Sequence, residues 1–218
     1  MRAILIDWII EVHQKFKLES ETLYFTVNLI DRYLSVSRIE RSKLQLLAVG
    51  AMLIASKYEE IYAPEVRDFV FITDKTYTKD EILNMEYKIL CALNFDILHV
   101  SPYIFLKRFH FLTGDDIKSL YLAQYILEYS LLEYKMLGFS SSMKAASCLY
   151  ISRKLLKIEK AWPGVLVTAS NYESRDLKQC VQDICRILEM IPKMNLKACV
   201  LKFSSPKYME VAKINIYQ

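Results

Sequence analysis

The sequence predicts an all-α fold of two tandem five-helix units, and three observations carry that prediction. Apolar residues recur at helical spacing along most of the chain, and strand-like alternation is absent over any useful length. Only four glycines occur, Gly50, Gly114, Gly138 and Gly164, too few for a sheet of tight hairpins or for a glycine-rich phosphate loop. The two halves also match each other when offset by 95 residues.

Taken in order, the first helix covers roughly residues 2–17 and the second 21–36, entered after Ser20. A third, 42–59, follows Ser42. Pro64 is expected just inside a short fourth helix, since proline suits the first helical position. Thr78 and Glu81 form a capping box that opens a fifth at about 79–93. Ser101-Pro102 starts the next, again a capping residue followed by proline. Further helices are expected near 115–134, 141–157, 161–169 and 174–191, with Pro192 ending the last. The stretch beyond is weakly patterned and holds one more expected helix, near 195–203.

The offset places Gly50-Ala51 on Ala145-Ala146, Tyr77 on Tyr172, Glu81 on Asp176, Ile82 on Leu177 and Ile89 on Ile184. Helices that share a period agree to some extent by chance, whereas two units joined near 97–101 account for the agreement directly. The division read from it is 1–98, 99–192 and a C-terminal tail, 193–218. Two helices are apolar nearly all round. Ala3 to Val12 is interrupted only by Asp7 and Glu11, and Leu44 to Ala55 only by Gln45 and Gly50. Such a helix is either fully buried or offers one apolar face to a partner. The third is read as the buried centre of its unit, with Gly50 admitting a close neighbour, and the first as the one that presents surface.

A length of 218 residues suits one large domain or two of about 100 residues each. The net charge of +4 comes from 29 basic and 25 acidic residues dispersed along the chain, so no basic arm argues for nucleic acid. Five cysteines (Cys91, Cys148, Cys180, Cys185, Cys199) form no CxxC pair and read as small hydrophobes in a reducing compartment. The opening Met-Arg-Ala-Ile-Leu-Ile-Asp-Trp has the look of a signal peptide, but Asp7 and Glu11 interrupt it. The longest apolar run, Leu46 to Ala55, falls short of the roughly 20 residues of a membrane span. A soluble intracellular protein is expected, with no membrane association.

A search for catalytic chemistry returns little. His13, His99 and His110 have no metal-ligand spacing with one another or with the cysteines. Ser141-Ser142-Met143-Lys144 matches S-x-x-K but lacks that motif's companions, and a serine run opening a helix is explained by capping. No cofactor or metal is expected. One charged pair stands out: Lys57 follows the apolar run of the third helix and Glu86 lies within the fifth, while the offset positions in the second half are Ser152 and Val181. A pair kept in one copy only is either a partner-binding feature or an ordinary surface ion pair.

Met1-Arg2-Ala3-Ile4-Leu5, continuing into Asp7-Trp8, reproduces the MRAIL signature of cyclins. Leu44-Gln45-Leu46, Ala55-Ser56-Lys57-Tyr58-Glu59-Glu60, Pro64-Glu65-Val66, Thr76-Tyr77-Thr78, Met85-Glu86 and Leu93-Asn94-Phe95 follow in the order and spacing of the cyclin box. The chain resembles the mitotic A/B-type cyclins, densely over residues 1–98 and more weakly to about 191. Tyr58, Leu93-Asn94-Phe95 and Phe105-Leu106-Lys107-Arg108 look more like the B type.

The resemblance implies a non-enzymatic regulatory subunit that forms a heterodimer with a cyclin-dependent protein kinase and acts in the nucleus and cytoplasm, at the G2/M transition. Lys57 and Glu86 match the pair that grips the kinase's PSTAIRE-type helix through its backbone. Ile54, Tyr58, Leu90, Phe95 and Ile97 match the apolar wall that receives that helix. Seating it brings a kinase glutamate onto the ATP-site lysine, so the cyclin acts by population shift. Met1, Ile4, Leu5, Trp8, Glu11, Arg41, Leu44 and Gln45 match the patch that docks RxL-type substrates and inhibitors, with Met1, Leu5 and Trp8 expected as an exposed stripe. Arg2 and Asp31 match a structural ion pair. Family members carry a further helix before MRAIL, so 1–98 is read as a first cyclin box with that helix missing. Two other readings share the fold, a scaffold that has lost its kinase and a nucleic-acid-binding transcription factor. The dispersed charge and the Lys57/Glu86 pair disfavour the second of these.

Overall fold

Helices are joined by short loops throughout the computed structural model, which describes residues 1–214. In chain order the α-helices are α1 (Arg2–Phe16), α2 (Ser20–Val36), α3 (Leu44–Glu59), α4 (Val66–Ile72), α5 (Lys79–Ala92), α6 (Pro102–Thr113), α7 (Ile117–Ser130), α8 (Ser141–Leu155), α9 (Gly164–Ser170), α10 (Lys178–Met190) and α11 (Ala198–Phe203). No strand occurs among the described residues. The chain divides into two compact units, one of residues 1 and 8–99, the other of residues 2–7 and 100–218. Residues 215–218 of the expected tail lie outside the described residues.

Within the first unit α3 is the centre. Every residue from Leu46 to Ser56 is buried, and α2 and α5 pack along it. A Cβ on Gly50 would stand 2.9 Å from the Met85 Cγ and 3.2 Å from the Ile89 Cδ1, so the absent side chain is what lets α5 lie this close. Thr78 caps α5 as its sequence predicts, accepting from the Glu81 N–H while the Glu81 carboxylate takes the Thr78 N–H at 2.8 Å. The fourth helix starts later than expected. Pro64 precedes the cap, and Glu65 with Asp68 forms the capping box instead, because an acid at this position can satisfy the free N–H groups that a proline ring cannot. Glu60, just past α3, accepts from the Glu19 N–H and the Thr22 hydroxyl at the start of α2, which ties down the exit of α3.

The second unit repeats the plan, with α8 packed against α6, α7 and α10. Paired positions share burial: Ala51 and Ala146 are at 0%, Ile82 and Leu177 at 0%, and Ile89 and Ile184 at 0% and 1%. The paired tyrosines also do the same work. Tyr77 reaches the Ser42 carbonyl just before α3, and Tyr172 reaches the Ser142 hydroxyl at the start of α8. Ser140 caps α8, which accounts for the serine run. Beyond Pro192, α11 packs on α7 and buries Cys199, Lys202 and Phe203. Lys202 meets Glu128 there at 2.7 Å, both side chains sealed from solvent, and Gln124 donates to the same carboxylate at 2.9 Å.

Candidate functional site

Lys57 occupies the last turn of α3 and Glu86 the middle of α5. Close packing of the two helices at Gly50 brings the side chains together, and the Lys57 Nζ donates to both Glu86 oxygens at 2.8 and 2.9 Å. The pair is lopsided: the lysine side chain is 50% exposed and the glutamate 14%. Two of the ammonium's three donors are spent on Glu86. In the second unit Ser152 is buried and donates to the Ser119 carbonyl at 2.7 Å, and Val181 is half-buried. That copy has packing where the first has an ion pair.

Apolar surface accompanies the pair. Tyr58 is 55% exposed and Phe95 64%, with Leu90 and Ile97 half-buried. The Tyr58 ring stands edge-on to Phe25, centroids 5.3 Å apart, which fixes it on the surface. Asn94 and Phe95 both take left-handed backbone conformations after α5, with φ of 52° and 56°. Asparagine tolerates this region and phenylalanine does not. Arg32 holds the turn by donating to the Asp96 carbonyl at 2.6 Å. The turn is closed by the Phe95 N–H, which donates to the Leu90 carbonyl at 2.8 Å, and it leaves the aromatic ring exposed. Ile54 departs from expectation. It is 5% exposed, one turn before Tyr58 on the inner side of α3.

On α1 the exposed line is Met1, Ile4, Trp8 and Glu11, with Met1 at 54%, Ile4 at 56% and Trp8 half-buried. Leu5 does not join it, contrary to the expected stripe. At 9% it falls with Ile9 and Val12 on the inward face, because spacings of three and four residues keep 1, 4, 8 and 11 together while 5, 9 and 12 form the neighbouring row. Arg41 is exposed, and Leu44 and Gln45 are half-buried. Arg2 donates to the Leu131 carbonyl at 2.7 Å, past the end of α7, and Asp31 is half-buried. Asp7 accepts the Ala198 N–H at 3.0 Å and so caps α11 from the other end of the chain. Burial pushes its carboxyl above the ordinary range, only partly countered by the N–H groups of Ala198 and Lys197.

Sequence reasoning missed several exposed apolar residues. Ile61 and Tyr62, in the loop leaving α3, are 91% and 92% exposed, and Tyr87, next to Glu86, is 63%. The available signal was a pair of large apolar residues between Glu59-Glu60 and Pro64, where no helix could bury them. The neighbouring Cys91 thiol raises the Tyr87 hydroxyl above its ordinary value.

The N-terminal cyclin domain family matches residues 1–98, and the C-terminal cyclin domain family matches residues 100–217. The chain belongs to the cyclin family. Relatives named cyclin-A and cyclin-B align at similar identity. Cyclin-A1-1 of Oryza sativa subsp. japonica is 44% identical over 98% of this cyclin and 43% of its own length. A G2/mitotic-specific cyclin-B of Spisula solidissima is 45% identical over 98% of this cyclin and 50% of its own length. This cyclin spans about half the length of the curated relatives it matches. Among solved structures, a viral cyclin from herpesvirus saimiri superimposes with a TM-score of 0.77 at 20% identity, covering 86% of this chain and 84% of that one. A chain of the yeast RNA Pol II CTD kinase CTDK-1 complex does so with a TM-score of 0.71 at 17% identity, covering 85% and 64%. These two likenesses speak to the fold.

Proposed function

We propose that this cyclin is the activating regulatory subunit of a cyclin-dependent serine/threonine kinase that acts at the G2/M transition, in the nucleus and cytoplasm. The observation that carries the reading is the Lys57–Glu86 pair, made in one repeat only and flanked by the outward Tyr58 and Phe95 rings. A half-exposed ammonium and an anchored carboxylate suit the free carbonyls and N–H groups of a helix end, and the aromatic rings supply the apolar contact that anchors an interface. Binding only the active arrangement of the kinase shifts its population toward that state, so the cyclin supplies no catalytic atom. Leu90 and Ile97 complete the wall, with Ile54 behind it.

The exposed Met1, Ile4, Trp8 and Glu11 line supports a second role in docking RxL-type substrates, with Arg41, Leu44 and Gln45 completing the patch and Arg2 with Asp31 holding the helix as a structural pair. The test is reconstitution. The purified chain alone should transfer no phosphate, and adding a PSTAIRE-type cyclin-dependent kinase should raise histone phosphorylation by orders of magnitude. No complex and no gain in kinase activity would remove the reading.

A further inference from the structure

The chain carries two Ser-Pro steps, Ser101-Pro102 and Ser205-Pro206, and no Thr-Pro. A serine before proline is the dipeptide that proline-directed protein kinases modify, because proline presents no backbone N–H and keeps the residue before it extended. Both serines meet the backbone condition, with ψ of 140° at Ser101 and 152° at Ser205. Their surroundings differ. Ser101 is 4% exposed, and its hydroxyl takes the Tyr103 N–H at 3.0 Å to open the 12 residues of α6. Ser205 is half-buried between α11 and a three-residue 3-10 turn, Pro206–Tyr208, and its hydroxyl donates to the Lys202 carbonyl at 2.8 Å.

The segment around Ser205 is open on one side and held by one short helix on the other. Pro206, Lys207, Met209 and Glu210 are exposed. Before Ser205 stands α11, 6 residues long, far below the length at which a helix holds itself in water. It is kept in place from outside. The Asp7 carboxylate takes its Ala198 N–H, Lys202 meets Glu128, and the Phe203 ring stands 4.6 Å from that of Tyr208 and 5.5 Å from that of Tyr125. Opening one such helix costs less than unfolding the domain, and it presents Ser205 to a kinase as extended chain.

We infer that Ser205 is a phosphorylation site for a proline-directed serine/threonine kinase, and that the phosphate keeps α11 off α7. The inference stands apart from the Lys57–Glu86 face and from whatever binds there. In the reaction the Ser205 Oγ attacks the γ-phosphorus of ATP, and the new O–P bond forms as the bond to the β-phosphate bridging oxygen breaks. ADP leaves, and the hydroxyl proton passes to the kinase's catalytic aspartate. Afterwards Oγ has no proton to give the Lys202 carbonyl. A charge of about −1.5 to −2 also stands three residues from Lys202, where it competes with the buried Glu128 carboxylate for that ammonium. Lys207, exposed and next but one to Ser205, draws the phosphate toward solvent. Both effects favour the opened segment.

The test incubates the full chain with ATP and a purified proline-directed kinase and maps the phosphate by mass spectrometry. Ser205 should be modified and Ser101 should not. Pro206→Ala keeps the hydroxyl and should slow modification of Ser205 by about tenfold, since alanine brings an N–H that the kinase leaves unsatisfied. Asp7→Ala lies outside the motif and uncaps α11, so it should speed modification by about fivefold. Phosphate on Ser205 should lower the thermal midpoint by about 2–4 °C, the shift that one hydrogen bond is worth in a chain of this size. It should also quicken proteolysis within residues 198–213 by about fivefold. Kinase treatment of Ser205→Ala should change neither. No phosphate on Ser205 in wild type or Asp7→Ala, with a control Ser-Pro peptide modified alongside, overturns the site. Modification of Ser101 at an equal rate overturns the selection by burial. Phosphate on Ser205 with thermal midpoint and proteolysis both unchanged overturns the release of α11.

Discussion

Glu86 holds the Lys57 ammonium with both of its carboxylate oxygens, at 2.8 and 2.9 Å, while itself keeping only 14% of its side-chain surface. A half-sunk anion thus fixes the position of a cation that stands in solvent, and the cation is preset before any partner arrives. Each charged hydrogen bond lost from such a contact costs about 1.5–3 kcal/mol. Lys57→Ala with Glu86→Ala should therefore weaken kinase binding by about two to four powers of ten, allowing for coupling between the sites. The helices should remain intact by circular dichroism. Val181→Ala should leave affinity unchanged, whereas Ser152→Ala should lower stability by about 1 kcal/mol, because it deprives the Ser119 carbonyl of a buried donor. Binding titrations on folded protein separate the two effects.

Leu5 and Ile4 are neighbours in sequence with opposite fates. Leu5→Ala empties a site 9% exposed and should cost about 2–5 kcal/mol in urea unfolding. Ile4→Ala with Trp8→Ala should lower docking of RxL peptides while moving the thermal midpoint less, and phosphorylation of a short peptide without a docking motif should stay near normal. A large thermal loss with parallel loss of both substrate classes would assign the whole α1 face to packing.

Asp7 separates a hydrogen bond from a charge. Asp7→Ala leaves the Ala198 N–H without its acceptor and should cost about 1–3 kcal/mol. Asp7→Asn keeps an oxygen there and removes the charge that burial disfavours, so the thermal midpoint at neutral pH should hold or rise. Because burial raises the folded-state carboxyl above its ordinary value, its charged form opposes folding at neutral pH. That opposition is relieved as pH falls through the folded-state value. Asp7→Asn should abolish this acid-side gain, read from urea midpoints across pH.

Glu81 predicts the reverse slope. The Thr78 N–H and hydroxyl hold its carboxyl below the ordinary glutamate range. Its stabilising share is present above the unfolded-state value, about pH 4.3, and is lost as pH falls through the lower folded-state value. Glu81→Gln should flatten stability over that acid window and leave neutral pH less affected than Thr78→Ala does. Parallel pH profiles for wild type and Glu81→Gln would contradict the capping assignment.

Lys202 and Glu128 are buried together, and removing one strands the other. Lys202→Met or Glu128→Leu alone should destabilise by about 3–5 kcal/mol, while the double replacement should recover most of the loss. Equilibrium unfolding of the three variants measures it. A double variant as unstable as the singles would mean that Gln124, Phe203 and Tyr208 depend on the charges for their packing.

The fold was legible because its punctuation is local. Thr78 and Ser101 each act within three residues of themselves, so a linear reading finds them. Pro64 misled because Glu65 is a better cap than proline is a start, a competition that spacing does not reveal. Lys57 and Glu86 stood out through the mismatch between repeats. Leu5 could not be told from Ile4, since a helix apolar nearly all round has no polar side to mark which way is out. Asp7 capping Ala198 joins positions 191 apart, beyond any pattern in the sequence.

Gly50 lies seven residues before Lys57 on α3, about two turns or roughly 10 Å away, and it faces Met85, the residue that precedes Glu86. The hydrogen that stands in place of a side chain there sets the gauge between the two rods that carry Lys57 and Glu86. A single methyl group at this depth would act as a wedge, spreading α3 from α5 and stretching a contact now made at 2.8 Å. The spacing of the surface pair is thus vested in a buried atom, and inheritance can alter it without changing either residue of the pair.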